Sequence, residues 1–167
     1  MTDRTLVLLR HAKSAHPDGV PDELRPLTPR GHADAAAAGT WLAARHLIPD
    51  VVLCSPARRT RETWHGVALA LGGEASGTTV VYDPVVYESG HGRGLLDLIT
   101  ATGPEVATLL MIGHNPTISM LSALLDPVVD DEGLRTCGIA VHRVPDSWRD
   151  LAPNAAALIA THTARAS

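Results

Sequence analysis

Residues 5–12 of the sequence read Thr-Leu-Val-Leu-Leu-Arg-His-Ala, a short apolar run that passes directly into an arginine and a histidine. A run of this length, rich in leucine and valine, is typical of a strand that is buried on both faces of a sheet. Arg10 and His11 follow this strand directly. They are candidate site residues because ligands of open α/β folds bind at the carboxyl ends of the strands.

Similar short strands recur along the chain and alternate with longer helical patterns. The predicted strands are Thr5–Leu9, Val51–Cys54, Thr79–Tyr82, Thr108–Ile112, Gly138–Arg143 and Ala155–Thr161. Such alternation indicates a mainly parallel sheet that helices cover on both faces. We therefore predict an α/β fold, a three-layer α/β/α sandwich, with residues 1–167 forming a single domain.

Four helices are predicted between these strands: Pro29–Ile48, Pro56–Leu71, Gly94–Thr102 and Pro116–Leu125. Thr28, Ser55 and Asn115 are the expected N-caps, because short polar side chains accept hydrogen bonds from free N–H groups at helix starts. Surface loops are expected at Gly72–Gly77, Glu88–Gly94 and Val128–Gly133.

Two helices carry a stripe of residues at helical spacing, which predicts the face that packs against the sheet. In the first helix the stripe consists of Ala33, Ala37, Trp41, Ala44 and Ile48. In the second helix it consists of Thr60, Trp64, Val67 and Leu71.

Composition limits the possible functions. The 167 residues carry 14 basic and 18 acidic side chains, and the net charge of −4 argues against a nucleic-acid-binding protein. Two cysteines are too few for a disulfide framework or a cysteine-rich zinc module. The N-terminal apolar run is too short for a signal peptide or a membrane span. We therefore expect a cytoplasmic protein with neither a membrane nor a nucleic-acid partner. We also expect a monomer, although composition carries no information on the oligomeric state.

Polar residues follow three predicted strands at the same edge of the sheet. They are Arg10-His11, Ser55-Pro56-Ala57-Arg58-Arg59 and Gly113-His114-Asn115-Pro116. Each group alone could be a solvated turn or helix start. Together they bring two histidines and at least two arginines to one edge of the sheet, and two of the three groups also precede a helix N-terminus, which indicates a site for a dianionic phosphate. Imidazole can also act as a nucleophile.

The two arginines at the start of the second helix are predicted to differ in role. Arg58 points away from the buried stripe and is expected to pair with Glu62 in solvent, four residues along the helix. Arg59 flanks the stripe in the first turn, from where it can reach the strand edge. We therefore predict Arg59 as the second phosphate-binding arginine.

No metal site or dinucleotide-binding loop is predicted. The other histidines show no metal-ligand spacing; they are His16, His32, His46, His65, His91, His142 and His162. The glycine-rich run Gly90–Gly94 lacks the full dinucleotide or Walker spacing. Cys54 is expected to be a core residue at a strand end.

Four segments resemble the motifs of the histidine phosphatase superfamily, also called the phosphoglycerate mutase-like fold. Leu8-Leu9-Arg10-His11-Ala12 is similar to its Arg-His-Gly signature, with Ala12 in place of the glycine. Leu27-Thr28-Pro29-Arg30-Gly31 resembles its Leu-Thr-x-x-Gly segment, Ser55–Arg59 its Ser-Pro-x-x-Arg motif, and Gly113-His114-Asn115 its second histidine. The resemblance spans residues 5–125. The Arg-His-Ala-Lys-Ser variant is most similar to the small SixA-type phosphohistidine phosphatases.

The resemblance implies a metal-independent phosphatase without a cofactor. His11 would attack phosphorus and form a phosphohistidine that water hydrolyses, while Arg10, Arg59 and His114 would hold the phosphoryl oxygens. Ser14 and Asn115 would also bind substrate, and Glu88 would protonate the leaving group. Because only 25 residues separate Glu88 from His114, no large cap domain is expected.

Three functions remain open at this stage. A site without a cap is expected to be shallow, which favours a phosphorylated protein, with phosphohistidine as the first candidate. A small phosphorylated metabolite is the second, and a non-catalytic phosphate-binding module for regulation is the third.

Overall fold

The computed structural model describes residues 3–127 and 132–167. Six strands form one sheet: β1 (Arg4–Arg10), β2 (Val51–Cys54), β3 (Thr79–Tyr82), β4 (Thr108–Gly113), β5 (Gly138–Val144) and β6 (Ala157–Thr163). Their order across the sheet is β3-β2-β4-β1-β5-β6. The first four strands of the chain are parallel, whereas β5 pairs antiparallel with β1 and β6 antiparallel with β5. The carboxyl ends of β1, β2 and β4 therefore lie side by side.

Within the described residues, five α-helices cover the two faces of the sheet. They are α1 (Pro29–Ala44), α2 (Arg58–Leu71), α3 (Pro84–Glu88), α4 (Gly92–Thr100) and α5 (Thr117–Leu125). Side chains of α1 and α2 belong to one hydrophobic cluster and those of α4 and α5 to another. The α/β/α sandwich predicted from the sequence is confirmed.

Strand β1 shows how the sheet separates the two clusters. Leu6 and Leu8 pack in the cluster with α4 and α5, whereas Val7 and Leu9 pack in the cluster with α1 and α2. Alternate side chains of a strand point to opposite faces, so an uninterrupted apolar run fits a strand covered on both sides.

The stripe predicted for α2 is confirmed, since Thr60, Trp64, Val67 and Leu71 are all buried. The stripe predicted for α1 is confirmed only in part, since Ala37, Trp41 and Ile48 are partly buried and pack against the cluster. Ala33 and Ala44 are exposed, and the helix instead buries Gly31, Asp34, Ala35, Ala38, Gly39 and Leu42. Alanine occupies several faces of α1, so its spacing does not identify the packed face.

Several predicted boundaries and caps also differ from the structure. The first helix begins at Pro29 as predicted, with Gly31 N–H bonded to Thr28 Oγ1 at 3.0 Å, but it ends at Ala44. Helix α2 begins at Arg58 with Ala57 as N-cap, and Ser55 Oγ accepts the Ala57 N–H instead of capping the helix.

Two predicted loops and one predicted N-cap also need correction. The segment Gly72–Gly77 forms a 3₁₀ helix, and Glu88–Gly94 contains the end of α3 and the start of α4. Asn115 is not an N-cap, because Pro116 takes that position before α5. In the predicted loop Val128–Gly133, residues 128–131 lie outside the described residues.

Both cysteines are free and buried within the cluster beneath α1 and α2. Burial raises the pKa of the Cys54 thiol to about 12. Burial also raises the pKa of Cys137 to about 12, with the Asp34 carboxylate adding to the effect. Cys54 ends β2 as a core residue, which confirms the prediction.

The longest helix, α1, has 16 residues. None of the helices within residues 3–127 and 132–167 has the length and apolar content that a membrane span requires.

Candidate active site

A cavity of about 390 Å³ lies where the segments that follow β1, β2 and β4 meet. The lining residues are Arg10, His11, Lys13, Ser14, His16, Arg25, Arg59, His114, Asn115 and Thr136. Four of these side chains are cationic, and no carboxylate of the described residues is in the lining. A hollow with this charge distribution suits an anion.

His11 follows β1 and is 8% exposed. Its backbone N–H donates to the Gly113 carbonyl at 3.1 Å, which extends the β1–β4 pairing by one residue. Its ring Nδ1 lies 2.7 Å from the Ala12 carbonyl oxygen. Because a carbonyl only accepts hydrogen bonds, Nδ1 carries the proton and Nε2 keeps a free lone pair.

The His11 imidazole is neutral at physiological pH. Its pKa is lowered to about 4, chiefly by burial and also by the positive charges of Arg59 and Arg10, while the hydrogen bond to Ala12 opposes the shift. A neutral ring with a bare Nε2 is the form that can attack phosphorus.

His114 follows β4, and its ring centroid lies 5.4 Å from that of His11, with the two planes inclined at 55°. Its Nε2 lies 2.7 Å from the Ser55 hydroxyl oxygen. Burial lowers the pKa of His114 to about 3, and the neighbouring Arg59 and His11 act in the same direction. The second imidazole of the cavity is therefore neutral as well.

Several buried nitrogen donors of the cavity have no partner. Among the described residues, five buried side-chain nitrogens lack a hydrogen-bond partner, and three of them are Arg10 Nε, Arg59 Nε and His114 Nδ1. All three belong to residues that line this cavity. Buried polar groups are normally satisfied, so a cluster of unsatisfied nitrogens indicates a ligand with several acceptor atoms.

Arg59 enters the cavity from the first turn of α2 and is 6% exposed. Its Nη1 donates to the Asp22 carbonyl at 2.8 Å and its Nη2 to Asp22 Oδ2 at 3.0 Å. Arg58 instead pairs with Glu62 at 3.3 Å on the exposed side of the helix, as the sequence predicts.

The segment between β1 and α1 supplies residues that the sequence analysis did not identify. Asp22 bonds to three groups: Arg59, Arg25 Nη1 at 3.0 Å and the Tyr87 hydroxyl at 2.7 Å. These hydrogen bonds hold the pKa of the Asp22 carboxyl well below its usual range, and the bond from Tyr87 has the largest effect. The Tyr87 ring also stands edge-on to His114, 5.5 Å between centroids.

Arg25 and Lys13 also line the cavity, although sequence analysis did not identify them. A bridge between Ser14 and Leu27 folds this segment back on itself, so Arg25 reaches Ser14 Oγ at 2.6 Å across eleven residues. No local spacing encodes such a contact. The Asp-x-x-Arg spacing of Asp22 and Arg25, directly before Pro26, was the one available signal.

The remaining predicted residues lie in different places. Ser14 lines the cavity as the acceptor of Arg25. Asn115 also lines it, donates to the Leu134 carbonyl at 2.7 Å and accepts from Ser119. Glu88 is exposed at the end of α3 and does not line the cavity.

Within the part of the chain that the structure describes, no three metal-ligating side chains come together. The cationic side chains that line the cavity are three arginines and a lysine.

Comparison with known proteins agrees with this geometry. Residues 6–95 match the family model of the histidine phosphatase superfamily, branch 1. An uncharacterized protein of Mycobacterium tuberculosis is 40% identical over 166 residues, which cover 94% of this chain and all of that protein.

Solved structures of SixA-type phosphatases also match this chain over most of its length. A candidate phosphohistidine phosphatase SixA of Nakamurella multipartitia is similar with a TM-score of 0.80 and 32% identity, over 98% of both chains. The protein histidine phosphatase SixA in complex with tungstate is similar with a TM-score of 0.78 and 25% identity, over 95% of this chain and 96% of that one.

A mycobacterial glucosyl-3-phosphoglycerate phosphatase, 19% identical with a TM-score of 0.64 over 99% of this chain and all of that one, shares the fold. The motifs, the paired histidines and the family match together establish that the chain is a phosphatase of the histidine phosphatase superfamily, with close structural similarity to its SixA-type members.

Proposed function

We propose that this phosphatase removes the phosphoryl group from phosphohistidine on a protein, through a phosphohistidine intermediate on His11. The observation that carries the proposal is the pairing of two neutral imidazoles, 5.4 Å apart, with Arg10 and Arg59 on one cavity. Phosphoryl transfer needs an in-line nucleophile and positive charge around the equatorial oxygens. The proposed site contains both.

In the first step, His11 Nε2 forms a bond to phosphorus while the bond to the leaving group breaks. The Nδ1 hydrogen bond to Ala12 orients the ring for this attack. Arg10, Arg59 and His114 hold the non-bridging oxygens, and Ser14 and Asn115 contribute from the wall. In the second step, water attacks the phosphohistidine and releases inorganic phosphate.

The placement of Glu88 favours a phosphohistidine substrate. An alkoxide leaving group needs a proton from a nearby acid, whereas an imidazole departs more readily. Glu88 is exposed outside the cavity lining, and no other carboxylate of the described residues lines it. A phosphohistidine substrate therefore does not depend on Glu88 as a proton donor.

The volume of the cavity favours a second candidate. A hollow of about 390 Å³ lies within the usual range for small-molecule sites, which suits a small phosphomonoester. Turnover of a phosphohistidine protein and of a panel of phosphorylated metabolites, compared as kcat/KM, separates these candidates. A higher value for any metabolite than for the phosphoprotein would overturn the proposed substrate.

The His11→Ala variant tests the chemistry itself. Loss of the nucleophile is expected to lower turnover by at least about a thousandfold. The matched control is His32→Ala, which removes an exposed histidine of α1. Wild-type protein denatured in alkaline detergent during turnover of a ³²P-labelled substrate should carry label on His11, because phosphohistidine is stable in alkali and hydrolyses in acid. Tight binding without label or turnover would identify a regulatory module instead. Loss of activity on chelation would contradict a metal-independent mechanism.

A further inference from the structure

The hydroxyl group of Ser55 is placed to control the proton of His114. Ser55 lies directly after β2 and is fully buried. Its Oγ accepts the Ala57 N–H at 3.2 Å and lies 2.7 Å from His114 Nε2. Among the described residues these are the two hydrogen-bond contacts of the hydroxyl group.

The two tautomers of a neutral His114 differ in how many buried groups they satisfy. If Nε2 carries the proton, Ser55 Oγ accepts two hydrogen bonds and its own buried proton has no acceptor. If Nε2 is bare, the Ser55 proton bonds to it and the hydroxyl is satisfied. An unsatisfied buried hydroxyl is costly, so the second arrangement is favoured.

We propose that Ser55 is a positioning residue that holds His114 in its Nδ1–H tautomer and so makes it a neutral hydrogen-bond donor to the phosphoryl group. His114 Nδ1 is buried without a partner among the residues of the described ranges, in a ring that lines the cavity. In the other tautomer a lone pair at Nδ1 would repel a phosphoryl oxygen. The proposal rests on the phosphate-binding role of His114 in the proposed function.

The tautomer can be read directly in the ligand-free protein. In long-range ¹H–¹⁵N spectra of protein labelled at histidine, a protonated and a bare ring nitrogen have well-separated shifts, and the His114→Ala variant assigns the signals. The expected result for wild type is a protonated Nδ1 and a bare Nε2. A protonated Nε2 would overturn the proposal, whatever the activity of the protein.

The Ser55→Ala variant tests the consequence for anion binding, with tungstate as the probe. We expect the Nδ1–H signature to disappear and tungstate affinity to fall about tenfold. Ser122→Ala is the matched control, because Ser122 makes the same kind of buried contact, 2.6 Å to His142 Nε2, outside the cavity lining. The control should bind tungstate within twofold of wild type.

Two outcomes separate failure of this proposal from failure of the proposed function. Unchanged tungstate affinity in Ser55→Ala would overturn the role of Ser55 while leaving the phosphatase mechanism in place. Absence of tungstate binding by wild type would count against the proposed site, while the tautomer spectrum would still decide the proton position. Ser55→Thr keeps a hydroxyl group, and if it melts like wild type it should restore both the signature and the affinity.

Discussion

At the scale of single residues, the protonation state of His11 sets the pH range of the reaction. Its pKa is lowered to about 4, below the ordinary histidine value of 6.5, chiefly because the ring is buried. The neutral nucleophile therefore persists well below pH 6. We expect the acid limb of kcat/KM to lie near pH 4 to 5.

This pH profile is best measured with two substrates whose phosphoryl groups ionise at different pH values. An acid limb at the same pH with both substrates reports an ionisation of the enzyme. An acid limb whose pH differs between the two substrates reports an ionisation of the substrate. A shared limb near pH 6.5 would contradict a desolvated His11.

Asp22 is the residue whose importance is least visible in the sequence. It holds Arg59 and Arg25 through its carboxylate, yet its side chain is half exposed, so its contribution is reduced by solvent screening. We expect Asp22→Ala to raise the KM by about three- to tenfold, because the Arg59 fork is less well oriented, with a smaller change in kcat.

Asp18→Ala controls for removal of a negative charge from the same exposed segment. It should leave KM within about twofold of wild type. A lower KM in Asp22→Ala would mean that the carboxylate competes with the substrate and does not position Arg59.

At the scale of elements, the close approach of α1 and α2 depends on glycine. A Cβ added at Gly39 would lie 2.5 Å from the Val67 carbonyl oxygen, and one at Gly66 would lie 2.6 Å from Ala35 Cβ. A backbone oxygen inside a packed pair of helices has little room to move.

We expect Gly39→Ala to lower the free energy of unfolding by about 1–3 kcal/mol, since overpacking exceeds the gain in helix propensity. Gly77→Ala is the control, because a Cβ there meets no atom within 4 Å. It should change stability by less than about 0.5 kcal/mol in urea unfolding. A stabilised Gly39→Ala would show that α1 can shift away from α2.

The same helices show what the sequence could and could not predict. The stripe of α2 is readable because the large apolar residues Trp64, Val67 and Leu71 recur at helical spacing, whereas α1 carries alanine on several faces. Strand positions came from short apolar runs, but the antiparallel pairing of β5 and β6 depends on contacts that no local pattern encodes.

The residues of the candidate site also differ in whether the sequence predicts them. Arg10, His11, Arg59 and His114 stand at strand and helix ends, where parallel topology brings them together. Arg25 and Asp22 reach the site because the segment between β1 and α1 folds back on itself. The family resemblance predicts Glu88 at the site, but in the structure Glu88 is exposed and does not line the cavity. Side chains from irregular segments need tertiary structure for their placement.

At the scale of the whole molecule, buried neutral histidines couple stability to pH. The pKa values of His11, His114 and His142 are all lowered, chiefly by burial. The unfolded chain therefore binds more protons than the folded one below pH 6.5. Stability is complete above that value and falls as the pH drops towards about 4 for His11 and about 3 for His114.

We expect the free energy of unfolding at pH 5 to be lower than at pH 7.5 by about 2 kcal/mol for each of His11 and His114. Urea unfolding at the two pH values measures this difference. The difference should shrink in His11→Gln and remain in His32→Gln, which replaces an exposed histidine. Equal stability at both pH values would contradict the burial of neutral imidazoles.

Because both cysteines are buried, we expect the enzyme to resist reagents that inactivate cysteine-dependent phosphatases. Neither thiol ionises at cellular pH, and neither lines the cavity. Alkylating agents and peroxide therefore find no reactive cysteine in the candidate active site. Treatment of the folded protein with iodoacetamide should leave its turnover intact, whereas phosphatases that use a cysteine nucleophile are silenced by the same reagent. Dephosphorylation by this enzyme would thus continue under oxidative stress.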